Sequence, residues 1–294
     1  MQITANGVAL EVEDHGSPGG EPLLLIMGLG MQLVAWHEGL VAQWVARGFR
    51  VIRFDNRDIG LSQRFDHLGV PNVALGALRH VVGLGVRSPY AIADMAADSA
   101  GVLDALGIAG AHVCGASMGG MVAQHLAACH PKRVRSLTLM MTTSGARHLP
   151  QPNWRVQMAL LGRPARPNDI DSVIDRYVQL FGLIGSPGWP TPPDVLRERI
   201  ARSVRRSHRP AAVARQLVAI VADGDRSELL ERIRVPTQVI HGLADPLIPV
   251  AAGRDLTMRI REARADLIEG MGHDLPEPLW PRFVDDVAAV AGRA

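Results

Sequence analysis

Between Ala111 and Cys129 a short apolar run, Ala111-His112-Val113-Cys114-Gly115, gives way at Gly115-Ala116-Ser117-Met118-Gly119-Gly120 to residues with helical spacing. A sharp strand-to-helix turn tolerates only small neighbours. It holds the serine between them in an unusual backbone conformation, with its hydroxyl exposed at the end of a sheet. The start of the following helix offers backbone N–H groups and a dipole that favours developing negative charge. The pattern G-x-S-x-G is short and arises by chance. The strand before it and the helix after it give it weight, and they make Ser117 the candidate nucleophile.

The rest of the chain alternates in the same way. Gln2–Ala5 and Val8–Glu13 flank Asn6-Gly7, a two-residue hairpin signal. Leu23–Ile26 is a short continuous apolar run, as expected of a strand buried on both faces. Arg50–Phe54, Val134–Met141, Thr237–His241 and Ala265–Ile268 read as further strands. Helical stretches fall at Glu38–Arg47, Ile92–Leu106, Gly119–Cys129 and Leu279–Val290. Such alternation implies parallel crossover units and a sheet covered on both faces, an α/β fold. The rhythm breaks after Met141. Eight of the twenty prolines lie between Pro150 and Pro193. The segments Trp154–Leu161, Asp169–Leu183, Asp194–Ser207 and Ala211–Ala222 all read as helical. The expected organisation is a core at residues 1–143, a helical cap at 144–232 and a returning core at 233–294.

A serine hydroxyl is a weak nucleophile. It needs a base, and the base needs an orienting acid. Behind a turn of this kind the partners follow in the order serine, acid, histidine. Asp245 follows the strand Thr237–His241 in Gly242-Leu243-Ala244-Asp245-Pro246 and is the candidate acid. The earlier loop Thr142-Thr143-Ser144 offers no carboxylate. His273, in Gly270-Met271-Gly272-His273-Asp274, follows the last strand and is the candidate base. His241 is a minor rival base and Asp274 a rival acid by adjacency. Acyl transfer builds charge on a carbonyl oxygen, which calls for two preorganised N–H donors. The first is Met118, directly after the nucleophile. The second is assigned to Leu29, in the loop Met27-Gly28-Leu29-Gly30-Met31, where glycine lets the backbone approach a ligand. Gly28 and Trp36 are the candidate substrate-binding residues.

Composition narrows the classes. A chain of 294 residues, 47% hydrophobic and 20% charged, buries a sizeable core without staples or metal. The formal net charge is +2, Lys132 is the only lysine, and the arginines are dispersed, which excludes a nucleic-acid footprint. The exception is Arg197, Arg199, Arg202, Arg205, Arg206 and Arg209, read either as a solvated helix face or as a device that steers an anionic substrate. Two cysteines, Cys114 and Cys129, make no disulfide framework and read as buried apolar residues. No apolar run reaches the length of a membrane span, and the first residues lack a basic region followed by a long apolar one. The expectation is a soluble cytoplasmic protein that needs no metal or cofactor.

Taken with Asp55-Asn56-Arg57-Asp58-Ile59-Gly60-Leu61-Ser62, these motifs resemble the α/β-hydrolase superfamily over nearly the whole chain outside the insertion. Within it they resemble the aclacinomycin-methylesterase-like carboxylesterases. Many superfamily members carry His-Gly where this chain has Met27-Gly28. The resemblance implies a mostly parallel sheet flanked by helices, a cap over the serine, and hydrolysis of a small-molecule ester through an acyl-enzyme. Other bonds open to the same three residues are a thioester, a carbon–carbon bond or an N-terminal peptide bond. A non-catalytic ligand receptor is the reading from a different class. Asp55 and Arg57 are expected to hydrogen-bond the turn beside the nucleophile. The larger apolar residues of the insertion (Met158, Leu160, Leu161, Tyr177, Phe181, Leu183, Ile184 and Trp189) divide between packing and pocket in a way the sequence leaves open, as is the oligomeric state.

Overall fold

The computed structural model describes every residue except Arg163, and of Leu161 only the backbone. Its strands are β1 (Gln2–Ala5), β2 (Val8–His15), β3 (Glu21–Ile26), β4 (Phe49–Phe54), β5 (Ala111–Ala116), β6 (Val134–Met140), β7 (Thr237–Gly242) and β8 (Arg264–Ile268). They form one sheet in the order β1-β2-β4-β3-β5-β6-β7-β8. The pairs β1/β2 and β2/β4 are antiparallel and the other pairs are parallel.

The helices are α1 (Glu38–Ala46), α2 (Val73–Val81), α3 (Ile92–Ala105), α4 (Met118–Cys129), α5 (Trp154–Leu161), α6 (Ile170–Ile184), α7 (Pro193–Arg206), α8 (Pro210–Asp223), α9 (Ser227–Leu230), α10 (Ala251–Arg259) and α11 (Trp280–Ala291). Three of them were not expected from the sequence. One is the four-residue α9. In α2 the large apolar residues Leu75, Leu78 and Val81 face solvent, while Gly76 is buried toward Val218 of α8, so no inward apolar stripe marks the helix. The third, α10, is short and carries Gly253, where a Cβ would stand 2.8 Å from Nδ1 of His241. Among the described residues no helix is long and apolar enough to cross a membrane, and no cluster of three or more His, Cys, Asp or Glu is arranged to hold a metal ion.

The apolar run in β3 is continuous because both of its faces are covered. Leu24 and Ile26 pack into a core shared with α3 and α4, through residues such as Val102, Leu103 and Val122. Leu23 and Leu25 pack the opposite face with Trp44, Phe283 and Val287. Each such side chain, fully withdrawn from water, stabilises the fold by about 1.5–3 kcal/mol. The sheet order reverses beside β3, with β4 on one side and β5 on the other. The carboxyl ends of β3 and β5 therefore open a crevice between the outgoing loops. Ile26 pairs with Gly115 at that edge, which brings the loop after β3 against the turn after β5.

Between β6 and β7 the chain builds α5 to α9 and no strand. Asp169 caps α6 by accepting from the N–H of Asp171 at 3.0 Å. Helices α6 and α7 share a small core of Val173, Ile174, Ile200, Ala201 and Val204, with Tyr177 and Phe181 packed against it. Ile184 is buried, and Trp189 packs on the α1/α11 side of the main core. Met158, Leu160 and Leu183 are exposed. The side chain of Leu161 lies outside the described residues.

The arginine row is a solvated face with most of its charges paired, rather than an open steering patch: Arg197, Arg202 and Arg205 are exposed. Arg197 pairs with Asp175, Arg199 with Glu277 at 3.0 Å, and Arg202 with Glu38. Arg206 reaches Asp55 at 2.7 Å and Arg209 donates to the carbonyl of Ser62 at 2.8 Å. Arg205 alone of the six stays exposed without such a partner among the described residues. The row is mainly a set of fasteners between α7 and the sheet domain.

Candidate active site

Ser117 sits at the junction of β5 and α4 with φ 55° and ψ −121°. A non-glycine residue there costs on the order of 1–3 kcal/mol, so the surroundings must hold it. They do so through backbone bonds: Ser117 N–H donates to the carbonyl of Met140 at 2.9 Å, and Thr142 Oγ1 donates to the carbonyl of Ser117 at 2.7 Å. Small neighbours are obligatory. A Cβ on Gly119 would lie 2.0 Å from the carbonyl oxygen of Ile26.

The three residues widely separated in sequence meet at this turn. Ser117 Oγ is 3.1 Å from His273 Nε2, and His273 Nδ1 is 2.7 Å from Asp245 Oδ2. A carboxylate only accepts, so Nδ1 carries the proton and Nε2 is left to accept from the serine hydroxyl. The other Asp245 oxygen accepts from the N–H groups of Leu247 at 2.9 Å and Ile248 at 2.8 Å. These bonds fix the carboxylate's rotation. Asp245 and His273 are both buried, which strengthens the pair relative to one in water.

The rivals lie beside the site but make other hydrogen bonds. His241 is fully buried, and its Nε2 donates to the carbonyl of Ile248 at 2.8 Å. Burial pushes its pKa down, so it stays neutral and braces the Asp245 loop. Asp274 makes no contact with the imidazole. Its Oδ1 accepts instead from the hydroxyl of Ser186.

In the loop after β3, several backbone groups around Leu29 are hydrogen-bonded, while the Gly28 N–H, like that of Leu29, has no acceptor among the described residues. Asn56 Nδ2 donates to the carbonyl of Met27 at 2.9 Å, Gly30 N–H donates to Gln216 Oε1 at 2.9 Å, and Met31 N–H donates to the carbonyl of Gly28 at 3.1 Å. The N–H groups of Leu29 and Met118 have no acceptor among the described residues. Gly28 borders the nucleophile: a Cβ there would stand 3.1 Å from Ser117 Cβ and 3.6 Å from Oγ.

Trp36 needs correcting. It has no exposed surface and packs edge-on to Trp44 at 5.9 Å in the α1/α11 core. Its carbonyl accepts from Arg53. With no exposed surface, the side chain is a packing residue of that core in this structure.

The Asp55–Ser62 loop also differs in detail. Asp55 Oδ1 accepts from Leu33 N–H at 2.7 Å, and Oδ2 accepts from Leu61 N–H at 2.8 Å and from Arg206. Arg57 pairs with Asp98 of α3 at 2.6 Å. The loop therefore braces the segment after β3, α3 and α7, and not the turn at Ser117. Sequence reading missed Ser186 and Gln216, which lie between β6 and β7 and hydrogen-bond the loops that carry His273 and Leu29. The only local signal for Ser186 was the unexplained carboxylate beside His273.

This fold, with a serine at the strand-to-helix turn and a histidine and a carboxylate on later loops, defines an α/β hydrolase. Residues 21–277 match the family model described as alpha/beta hydrolase fold, and the chain belongs to that family. It is similar to rhodomycin D methylesterase DnrP of Streptomyces peucetius, with 31% identity over 94% of each chain. It is also similar to the putative carbamate hydrolase RutD of Azorhizobium caulinodans, with 29% identity over 90% of this chain and 88% of the other. Among solved structures, the meta-cleavage product hydrolase CumD of Pseudomonas fluorescens IP01 shares the fold with a TM-score of 0.76 at 20% identity, over 100% of this chain and 97% of the other.

Proposed function

We propose that the protein hydrolyses a carboxylic ester of a small molecule through an acyl-enzyme on Ser117. The observation that carries this reading is the unbroken hydrogen-bond chain from Ser117 Oγ through His273 to Asp245. Ser117 Oγ attacks the ester carbonyl carbon while His273 Nε2 takes its proton. The Leu29 and Met118 N–H groups, otherwise without acceptors, receive the negative oxygen. His273 then gives its proton to the departing alcohol oxygen, which leaves the acyl group on Ser117. Water attacks the acyl-enzyme and passes a proton to His273 Nε2, and His273 returns that proton to Ser117 Oγ as the acid leaves. Asp245 stays ionised throughout and stabilises the imidazolium.

Residues 144–232 act as the cap that shapes the pocket. The relatives named rhodomycin D methylesterase support a methyl ester as the first bond to test. Gly28 supports close approach of the β3 loop backbone to the nucleophile, since even a Cβ there would stand 3.1 Å from Ser117 Cβ.

The test is to trap the intermediate. Incubating the protein with an activated ester, quenching in acid and measuring intact and peptide masses should find one acyl group, on the peptide that holds Ser117. Ester turnover with an adduct elsewhere, or with none under slow deacylation, contradicts the reading.

A further inference from the structure

The loop that carries His273 does not stand alone. Four hydrogen bonds tie it to the segment that leaves α6. His273 N–H donates to the carbonyl of Ile184 at 2.7 Å, and Gly188 N–H donates to the carbonyl of Gly270 at 2.9 Å. Gly272 N–H donates to Ser186 Oγ at 2.8 Å, and Ser186 Oγ–H donates to Asp274 Oδ1. The approach is close enough that a Cβ on Gly272 would stand 2.4 Å from the carbonyl oxygen of Gly185. Ser186 is buried, so its hydroxyl has no water to turn to. Its side chain is the one the α6 exit segment contributes to the clamp, and it touches the residues on both sides of His273.

We infer that Ser186 is a positioning residue for His273: its hydroxyl, bridging Gly272 N–H and the Asp274 carboxylate, fixes the imidazole's approach to Ser117 and couples that approach to the cap. The inference rests on the proposed roles of Ser117 and His273. A hydroxyl that accepts from one neighbour and donates to the other sets the loop's rotation as well as its distance, which no apolar side chain of the same size can do. Asp274 has a second consequence. Burial holds its carboxyl above the ordinary carboxylate range, and the Ser186 hydroxyl offsets only part of that rise. Ionised, it is a negative charge on the same loop as the imidazole, in addition to Asp245. The groups facing His273 are then Asp245 and Asp274, with the buried neutral His241 behind the acid. No cation in that set offsets the second carboxylate.

The experiment compares Ser186→Ala, Ser186→Thr, Asp274→Asn and Ser117→Ala on one activated ester, with kcat, KM and the pH profile of kcat/KM for each. Ser186→Ala should lower kcat by roughly 10- to 100-fold with KM within about threefold, as expected when a reacting group is misplaced by a fraction of an ångström. Ser186→Thr keeps the hydroxyl and should recover most of that loss. Asp274→Asn keeps an acceptor for Ser186 but removes the charge. It should move the acid limb of the profile down by roughly half to one pH unit, with kcat at the plateau within a few-fold. Wild-type kcat in Ser186→Ala together with an unmoved limb in Asp274→Asn overturns the inference. So does a loss in Ser186→Ala that tracks a fall in thermal midpoint while Asp274→Asn is silent. If Ser117→Ala is inactive while the other variants behave as wild type, only this inference falls. If Ser117→Ala retains turnover, the reading beneath it falls as well.

Discussion

Arg215 and Asp58, 157 residues apart in the chain, meet at 2.6 Å with essentially no exposure of either side chain. Arg215 lies on α8 and Asp58 in the loop after β4. Tyr90 Oη and Phe65 N–H complete the carboxylate's shell at 3.2 and 3.1 Å. One residue further along α8, Gln216 accepts from Gly30 N–H. The anchor of α8 and the brace of the loop beside Ser117 are therefore consecutive residues.

Removing Arg215 would leave the buried Asp58 carboxylate with two neutral donors and no guanidinium on its oxygens. Arg215→Met should destabilise the protein by about 3–5 kcal/mol, and adding Asp58→Asn, which removes the charge and tolerates the left-handed backbone at φ 73°, should recover part of that loss. Urea unfolding of the single and double variants measures both. A cost below about 1 kcal/mol for the single variant would show that the pair fastens nothing.

The space in front of the nucleophile is set by an absent side chain. In Gly28→Ala the new methyl would lie 3.1 Å from Ser117 Cβ, tighter than an ordinary contact. The expected outcome is a fall in kcat/KM of about 10- to 100-fold with little change in thermal midpoint, because the loop's own bonds are backbone bonds that alanine keeps. Steady-state kinetics and a melting curve test this together. Unchanged kcat/KM would move the substrate's approach away from Gly28.

Far from the site, burial and the neighbouring Asp266 carboxylate push Asp286 up to about 7. The unfolded chain binds its proton with an ordinary carboxylate pKa, so between about pH 4 and 7 the folded state holds a proton that the unfolded state has lost. This contribution therefore falls as pH rises through that window and is flat above it. Asp286 is partly exposed, so the full shift overstates the energy, and a contribution on the order of 1 kcal/mol is expected after solvent screening. Asp286→Asn should be more stable than wild type by about that amount at pH 8 and indistinguishable from it near pH 4. Chemical denaturation across pH measures the difference. A stability gap that does not change with pH would contradict the raised Asp286 pKa.

What could be read in advance was what local residues determine. The strand Leu23–Ile26 was legible because its apolar run is continuous, and the turn at Ser117 because small residues crowd into one place. Asp245 and His273 were legible from chain order on loops that follow strands. The contacts that hold the site in place were not. Gly30 to Gln216 spans 186 residues, and Arg206 to Asp55 spans 151. No spacing rule reaches that far. Trp36 was placed at the site by its position after the Gly28–Gly30 loop, yet the side chain turns into the opposite core. Helix α2 was invisible because its large apolar residues face outward.

The central claim is that Ser117 supplies the reacting atom. It is tested most directly by kcat/KM for a panel of activated esters of rising acyl length, measured for the wild type and for Ser117→Ala. The wild type should hydrolyse the esters, and the variant should lose activity by a factor on the order of 10⁴ or more across the panel, with its fold intact by circular dichroism. Ester turnover unchanged by Ser117→Ala would contradict the account.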